Sequence, residues 1–451
     1  MKILIAFFDL NNPGGIINNQ EALYSGLVEL GHSVQVRNLY WKTGLHRAPR
    51  TRRALEQQES VMGTTYDQQV GWRWPDSMRF AYKGKSNIAR WKEYASKFDL
   101  IIWQIPCPTM RKEERGNSDW PELYNVPVKQ IIYIHDGNMV DSYPWIYQVV
   151  PHLTAAMGVH VCAYNSLANL PLPRAMAHSG QMNIGERIAL ADSSTNRNGW
   201  CSFQTFKGWK HVDDIVRAVP YMENSYRKVL GGGGIHYYYM TSKDKVKDEY
   251  LVNRKKDPDA LPSLYGKRIW ELALEAGMQY VGYQGNELRD LYIRRSKFLI
   301  DPSWSKLFSK QGDHYNRTMV EGIISGAAPI GRSWGTVASE TGQGVLFKAG
   351  VHFVMIPHKT TPRKFAQMVD DAIHMPEHER RQMVEEGREI VREHFDYLKV
   401  AQAFIDLAEG RPAGVFQMPD DRGQEHPQMK AASAQAMATF FSRPVMQTAA
   451  E

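Results

Sequence analysis

Between Lys2 and Phe8 the chain is almost continuously apolar, as a parallel strand buried on both faces should be. A turn-rich stretch follows, Asn11-Asn12-Pro13-Gly14-Gly15, and then Leu23, Leu27 and Leu30 recur at helical spacing. Gly31 is placed to cap that helix, and Ser33–Val36 reads as the next strand. Strand, glycine loop, helix and strand in this order open a doubly wound α/β domain. Residues 41–97 lack clean periodicity and read as an insertion or a set of elaborated loops. Strands resume at Leu100–Ile105, Ile131–Ile134 and Val159–Ala163. From Leu170 to about Asn198, two prolines and a polar cluster suggest a crossing between domains.

A second α/β series begins near Trp200. Strand patterns at Trp200–Phe206, Lys228–Leu230, Gln279–Tyr283, Phe298–Ile300 and Ala328–Ile330 alternate with helical ones. The helical stretches are His211–Val219, one bearing Ile269, Leu272 and Ala276, then Glu287–Arg295 and Asn316–Ser325. Thr361-Pro362 supplies an N-cap and a proline at the first helical position. The pattern that follows carries Phe365, Met368, Val369 and Ala372 on one face, and helical spacing continues to Leu407. The expected organisation is a first domain over 1–190, a second over 191–385, a helix over 386–410 packing back toward the first, and a flexible tail over 411–451.

Composition narrows this picture. At roughly 150 residues per domain, 451 residues suit two or three domains. Hydrophobic residues at 43% and charged ones at 23% exclude a largely disordered, collagenous or coiled-coil chain. Lysine and arginine number 55 against 48 acids, a net charge of +7. That suits an anionic partner without choosing among nucleotide, nucleic acid and membrane surface. Cys107, Cys162 and Cys201 have neither metal-ligand nor disulfide-framework spacing, so a reduced, cytoplasmic setting is expected. Apolar runs fall short of the roughly 20 residues of a membrane span, so no stable membrane insertion is expected.

The candidate chemistry lies in the connections after strands. Gly14 and Gly15 let backbone approach a ligand at a helix N-terminus, although they serve a structural turn equally well. His135-Asp136-Gly137 follows a strand, where a His-Asp pair can bind a sugar or assist proton transfer; the plain alternative is a loop histidine with an Asx turn. Lys207 and Lys210 precede a helix and can neutralise a diphosphate there. Asp313 and Glu321 stand eight residues apart, one before and one on the helix that opens near Asn316. The run Ser325-Gly326-Ala327-Ala328-Pro329 after them permits close helix–strand packing. The D-x-D string Asp257-Pro258-Asp259 lies in a polar loop, and no metal site is expected.

These stretches resemble the retaining nucleotide-sugar glycosyltransferases of GT-B fold, in the group marked by an acid-x7-acid motif. The likeness runs over most of residues 1–410. It is carried by MKILIAFFDLNNPGGI with GHSVQV, by HDG, by KGWKHVDDIVRAV, and above all by GNELRDLYIRRSKFLIDPS and EGIISGAAPIG. Two positions depart from the pattern. The first acid is Asp313 where the family usually has glutamate, and Ser202 stands where it usually has an arginine.

The resemblance implies an α/β protein of two Rossmann-like domains facing across a cleft. It implies a nucleotide-sugar donor, UDP-glucose or a related UDP-hexose, and no required cofactor. Glu321 would accept from ribose hydroxyls. Asp313 with the backbone of His314, Tyr315 and Asn316 would hold the sugar. Lys207 would stabilise the departing diphosphate, with Lys210 or Arg317 replacing the missing arginine. Gly14 and Gly15 would approach the phosphates, and Asp136 or His135 would orient the acceptor hydroxyl. Within the group, YIHDGNMVDS and FQTFKGWKHVDDIV are most similar to phage DNA alpha-glucosyltransferases acting on 5-hydroxymethylcytosine. Basic segments with aromatics, over 46–96 and 243–256, suit a DNA partner. A carbohydrate or lipid acceptor, and an inactive nucleotide-sugar or nucleic-acid binding protein, are the alternatives.

Overall fold

Two parallel β-sheets carry the fold in the computed structural model, which describes residues 1–8, 15–40, 79–82, 84–104, 120–135, 146–159, 161–167, 170–194, 196–204, 210–232, 269–282, 284, 286–303, 317–332, 346–357 and 360–413. These residues divide into two units. The first takes those within 1–45, within 74–181 and from 394 onward; the second takes those within 182–393.

The first unit contains β1 (Lys2–Phe8), α1 (Gly15–Glu29), β2 (Ser33–Tyr40), β3 (Arg79–Ala81), α2 (Lys85–Ala95), β4 (Leu100–Trp103), β5 (Lys129–Ile134), β6 (Ala155–Gly158), α3 (Val161–Ser166) and β7 (Arg174–Met176). Its strands lie in the order β3-β2-β1-β4-β5-β6-β7, all parallel. Ile3 to Phe8 are fully buried, which is why that run has no polar alternation. Below one face of the sheet, Trp103 stacks between Phe8 and Tyr124, and its indole N–H donates to Gln130 Oε1 at 3.0 Å.

The second unit contains α4 (Ile184–Asp192), β8 (Trp200–Gln204), α5 (Val212–Ala218), β9 (Lys228–Gly232), α6 (Ile269–Glu275), β10 (Gln279–Gly282), α7 (Asn286–Arg294), β11 (Phe298–Asp301), α8 (Arg317–Ile324), β12 (Ala328–Arg332), β13 (Val354–Ile356), α9 (Pro362–Ile373) and α10 (Glu377–His394). The strand order is β10-β9-β8-β11-β12-β13, again parallel. Trp200, Phe298, Ile300 and Ile330 share one core with Ile215, Phe365 and Val369. The chain then returns to the first unit, where α11 (Tyr397–Ala408) packs on α1. A Cβ at Gly26 of α1 would lie 2.6 Å from the Tyr397 carbonyl oxygen, so that contact depends on glycine.

Cap signals in the sequence act as expected. Gly31 takes a φ of +83°, and Thr361 Oγ1 accepts from the Lys364 N–H at 3.3 Å. Other local readings are corrected. The strand expected at Val159–Ala163 is instead β6, and α3 starts at Val161. Small residues explain the shift: a Cβ at Gly158 would stand 2.6 Å from Tyr164 N, so the helix folds directly back on the strand. The stretch 41–97 is not wholly loop, since it holds β3 and α2; residues 41–78 lie outside the described ones. The expected crossing near 170–198 contains β7 and α4. The expected tail over 411–451 falls outside the described residues from 414 onward. Among the described residues, no helix is long and apolar enough to cross a membrane.

Candidate functional site

Ligands of parallel α/β sheets gather beyond the carboxyl ends of the strands. In the second unit that edge carries the N-terminal halves of α7 and α8. Arg317 opens α8, and Glu321 lies one turn later on the same face. Arg317 Nε donates to Glu321 Oε1 at 2.9 Å, and Arg289 of α7 reaches the same oxygen at 2.9 Å. Glu321 is buried, with 2% of its side chain exposed. Next to this pair, Arg187 of α4 bonds Asp290 at 3.0 Å, and Arg289 lies 3.9 Å from the other Asp290 oxygen. Among the described residues, three guanidiniums thus surround two carboxylates.

Burial pushes the Glu321 carboxyl up, but Arg289, Arg317 and Arg187 together outweigh it and hold its pKa below the ordinary 4.5. Burial also lowers the Arg317 pKa, with Glu321 opposing the shift. Asp290 is raised, first by burial, with Arg187 and Arg289 opposing and Glu321 adding to the rise.

The far end of α8 is anchored as firmly. Arg388 donates to the Ile323 and Ile324 carbonyls at 3.3 and 3.4 Å, Arg197 to Ser325 O at 3.0 Å, and Arg380 to Gly326 O at 2.8 Å. Cations there complement the negative end of the helix and satisfy its free carbonyls. Burial, with Arg380 and Arg388 nearby, pushes Arg197 down to about 10. Gly322 lets α8 approach β11, since its Cβ would sit 3.3 Å from Leu299 Cβ, and Gly326 turns the chain at φ +78°. The small-residue run therefore does serve close helix–strand packing.

At the carboxyl end of β11, Asp301 is fully buried. Its Oδ1 accepts from the Ser303 N–H at 3.1 Å and the Ser303 hydroxyl at 2.5 Å. Its Oδ2 has no partner among the described residues. Ser202, within β8, is also fully buried and places no charge at this edge. Lys210 is buried just before α5.

Beside Lys210, the potential ligand atoms of His211, Asp213 and Asp214 lie within 4.8 Å of one another. Arg332 pairs with Asp214 at 2.5 Å, and Arg217 pairs with both aspartates. Burial raises the Asp214 pKa, but the His211 hydrogen bond, Arg332 and Arg217 together bring it below its ordinary value. A cation would have to displace these guanidiniums, so the group reads as an ion-pair network that pins α5 to β12.

In the first unit, Gly15 begins α1 and His135 directly follows β5, its ring 4.4 Å from that of Tyr133. Gly14, Asp136, Lys207, Asp313, His314, Tyr315 and Asn316 lie outside the described residues. Of the predicted residues, Arg317 and Glu321 are in contact. Arg289, Arg187, Asp290 and Asp301 were not anticipated. The crossover from β10 to β11 lays α7 beside α8, a proximity that local periodicity does not carry. For Asp301 there was a signal: an acid ending an apolar strand, in FLIDPS.

No protein-family model matches the chain, and no curated protein matches it. Solved structures do. An alpha-glucosyltransferase in complex with UDP-glucose and DNA containing an abasic site aligns at TM-score 0.61 and 11% identity, over 91% of this chain and 99% of that one. An alpha-glucosyltransferase with UDP and a 13-mer DNA containing a HMU base aligns at 0.58 and 13%, over 91% and 99%. Anabaena Alr3699/HepE in complex with UDP aligns at 0.56 and 11%, over 91% and 100%. The fold is therefore that of the GT-B glycosyltransferases, with two parallel-sheet α/β units.

Proposed function

We propose that the protein is a retaining glycosyltransferase that moves a sugar, glucose or a close relative, from a UDP-sugar to a hydroxymethylated pyrimidine in DNA. The observation that carries the donor side is the buried, ionised Glu321, fixed by two arginines at the carboxyl edge of the second sheet. Both ion pairs fall on Oε1, and Oε2 is assigned as the acceptor for ribose hydroxyls. A carboxylate kept charged at this cost suits a ligand with paired hydroxyl donors.

In this reading Asp313 and the backbone of His314, Tyr315 and Asn316 hold the sugar. Lys207 and Lys210 stabilise the diphosphate where negative charge develops. The bond from the sugar's C1 to the diphosphate breaks, and one from C1 to the acceptor hydroxymethyl oxygen forms. The hydroxyl proton leaves by way of Asp136 or His135. Protein cations supply the electrostatics, and no metal is invoked. The DNA acceptor draws on the resemblance of HDG and KGWK to phage enzymes, on the net charge of +7, and on neighbours whose structures contain DNA.

Release of UDP from UDP-glucose, followed with and without hydroxymethylated duplex DNA, tests the reading. Expected is DNA-stimulated release that Glu321→Ala abolishes. Release that Glu321→Ala leaves intact would contradict the donor assignment. Release stimulated by an oligosaccharide and not by DNA would favour the carbohydrate acceptor.

A further inference from the structure

The first unit contains buried amides that the reading above does not use. Gln104 directly follows β4, is fully buried, and has no hydrogen-bond partner on either side-chain amide atom among the described residues. Gln20 of α1 is also fully buried with both amide atoms unpartnered. Asn19, 1% exposed, accepts from the Gly180 N–H at 3.2 Å through Oδ1, while its Nδ2 has no partner.

Register and helical spacing put Gln104 and Gln20 on one face of the sheet. Ile102 pairs with Ile131 and Trp103 with Ile132, so Gln104 stands level with Tyr133. The Tyr133 ring packs edge-on against Phe404 of α11, and α11 packs on α1. Gln104 thus points to the face that α1 and α11 cover. His135, two residues after Tyr133 and in ring contact with it, lies on the same face. On α1, Gln20 precedes the buried Leu23 and Leu27 by one and two turns, so it faces the sheet near its carboxyl edge.

That edge is the point where strand order reverses. β1 lies between β2 and β4, and the Gln104 N–H itself donates to Ala6 O at 2.9 Å. Ligands of such sheets bind there. Buried polar groups in native proteins are ordinarily paired, and each orphan calls for an explanation. Ordinary cores satisfy one with a trapped water. Four orphan amide atoms, on Gln20 and Gln104, at a switch point fit a ligand better.

We infer that Gln20 and Gln104 read the acceptor base. A glutamine amide presents one acceptor and two donors side by side and carries no charge. A pair of them suits a neutral group with alternating donors and acceptors, which is the Watson–Crick edge of an extruded pyrimidine. The inference rests on the DNA-acceptor reading and adds to it the residues that recognise the base.

The test uses the full-length protein with UDP-glucose and a duplex carrying one 5-hydroxymethylcytosine, comparing wild type with Gln104→Leu and Gln20→Leu. Each variant is expected to raise the acceptor KM roughly tenfold or more, the effect of losing a base-edge contact. The UDP-glucose KM should stay in place. The melting temperature should hold or rise, because leucine fills a similar volume without unmet polar atoms. An unchanged acceptor KM in both variants overturns the inference while leaving the DNA reading intact. A lowered melting temperature in both also overturns it, because the amides would then be bonded within the fold. If wild type transfers nothing to DNA, the acceptor reading fails and this inference with it.

Discussion

Glu321 shows how the candidate site is held at the scale of one residue. Its buried carboxylate meets Arg289 and Arg317 on a single oxygen. Glu321→Gln removes the countercharge and leaves buried guanidiniums facing each other, so chemical denaturation should show a loss of about 3–5 kcal/mol. The pH behaviour follows from the direction of the shift. The Glu321 pKa is lowered in the folded state, so the stabilisation is complete above the ordinary glutamate value of 4.5 and is lost as pH falls through the lowered one. Glu377 adds to the same acid limb. The hydrogen bond from Arg380, opposed by burial and reinforced by the one from Arg381, brings it to about 2, so its contribution disappears between pH 4.5 and about 2. Unfolding measured against pH in Glu377→Gln should therefore show a shallower acid limb; an unaltered limb would contradict the assignment. The sequence announced Glu321 through its place on a helix after a strand. It did not announce Arg289, because that partner is brought in by a crossover between strands that are not neighbours in the sheet.

Among the elements, the packing of α11 on α1 shows what fixes the first unit. Gly26 is the point of closest approach, with a Cβ there 2.6 Å from the Tyr397 carbonyl and 2.8 Å from Ala401 Cβ. Gly26→Val should force the helices apart and cost at least about 1–3 kcal/mol. The shift in urea midpoint measures it, and wild-type stability would show that the helices are not in contact. Elements with a strong pattern were legible, β1 by its continuous apolar run and α9 by its helical period. Those built on small or aromatic residues were not. Ala155 to Gly158 carries no β-branched signal although it is a fully buried strand. Phe80, Trp91 and Tyr94 pack ring against ring across β3 and α2, and a mixed polar sequence around them hid both elements.

For the whole molecule, the two α/β series predicted from alternating patterns appear as two parallel sheets, each with its own core. The net charge of +7 takes its meaning at this scale. If the protein neutralises roughly six phosphates, its affinity for duplex DNA should fall about a thousandfold between 50 and 200 mM salt. Fluorescence anisotropy of a labelled duplex measures this, and salt-independent or absent binding would remove DNA from the account. Charge alone did not select DNA over nucleotide, because buried arginines consume part of it: Arg197, Arg380 and Arg388 serve the end of α8. The most direct measurement is the mass of nucleosides from a 5-hydroxymethylcytosine duplex incubated with the protein and UDP-glucose and then digested. Wild type should yield a nucleoside heavier by one hexose, and Glu321→Ala should not. An unchanged nucleoside mass after incubation with UDP-glucose and the other UDP-hexoses would contradict it.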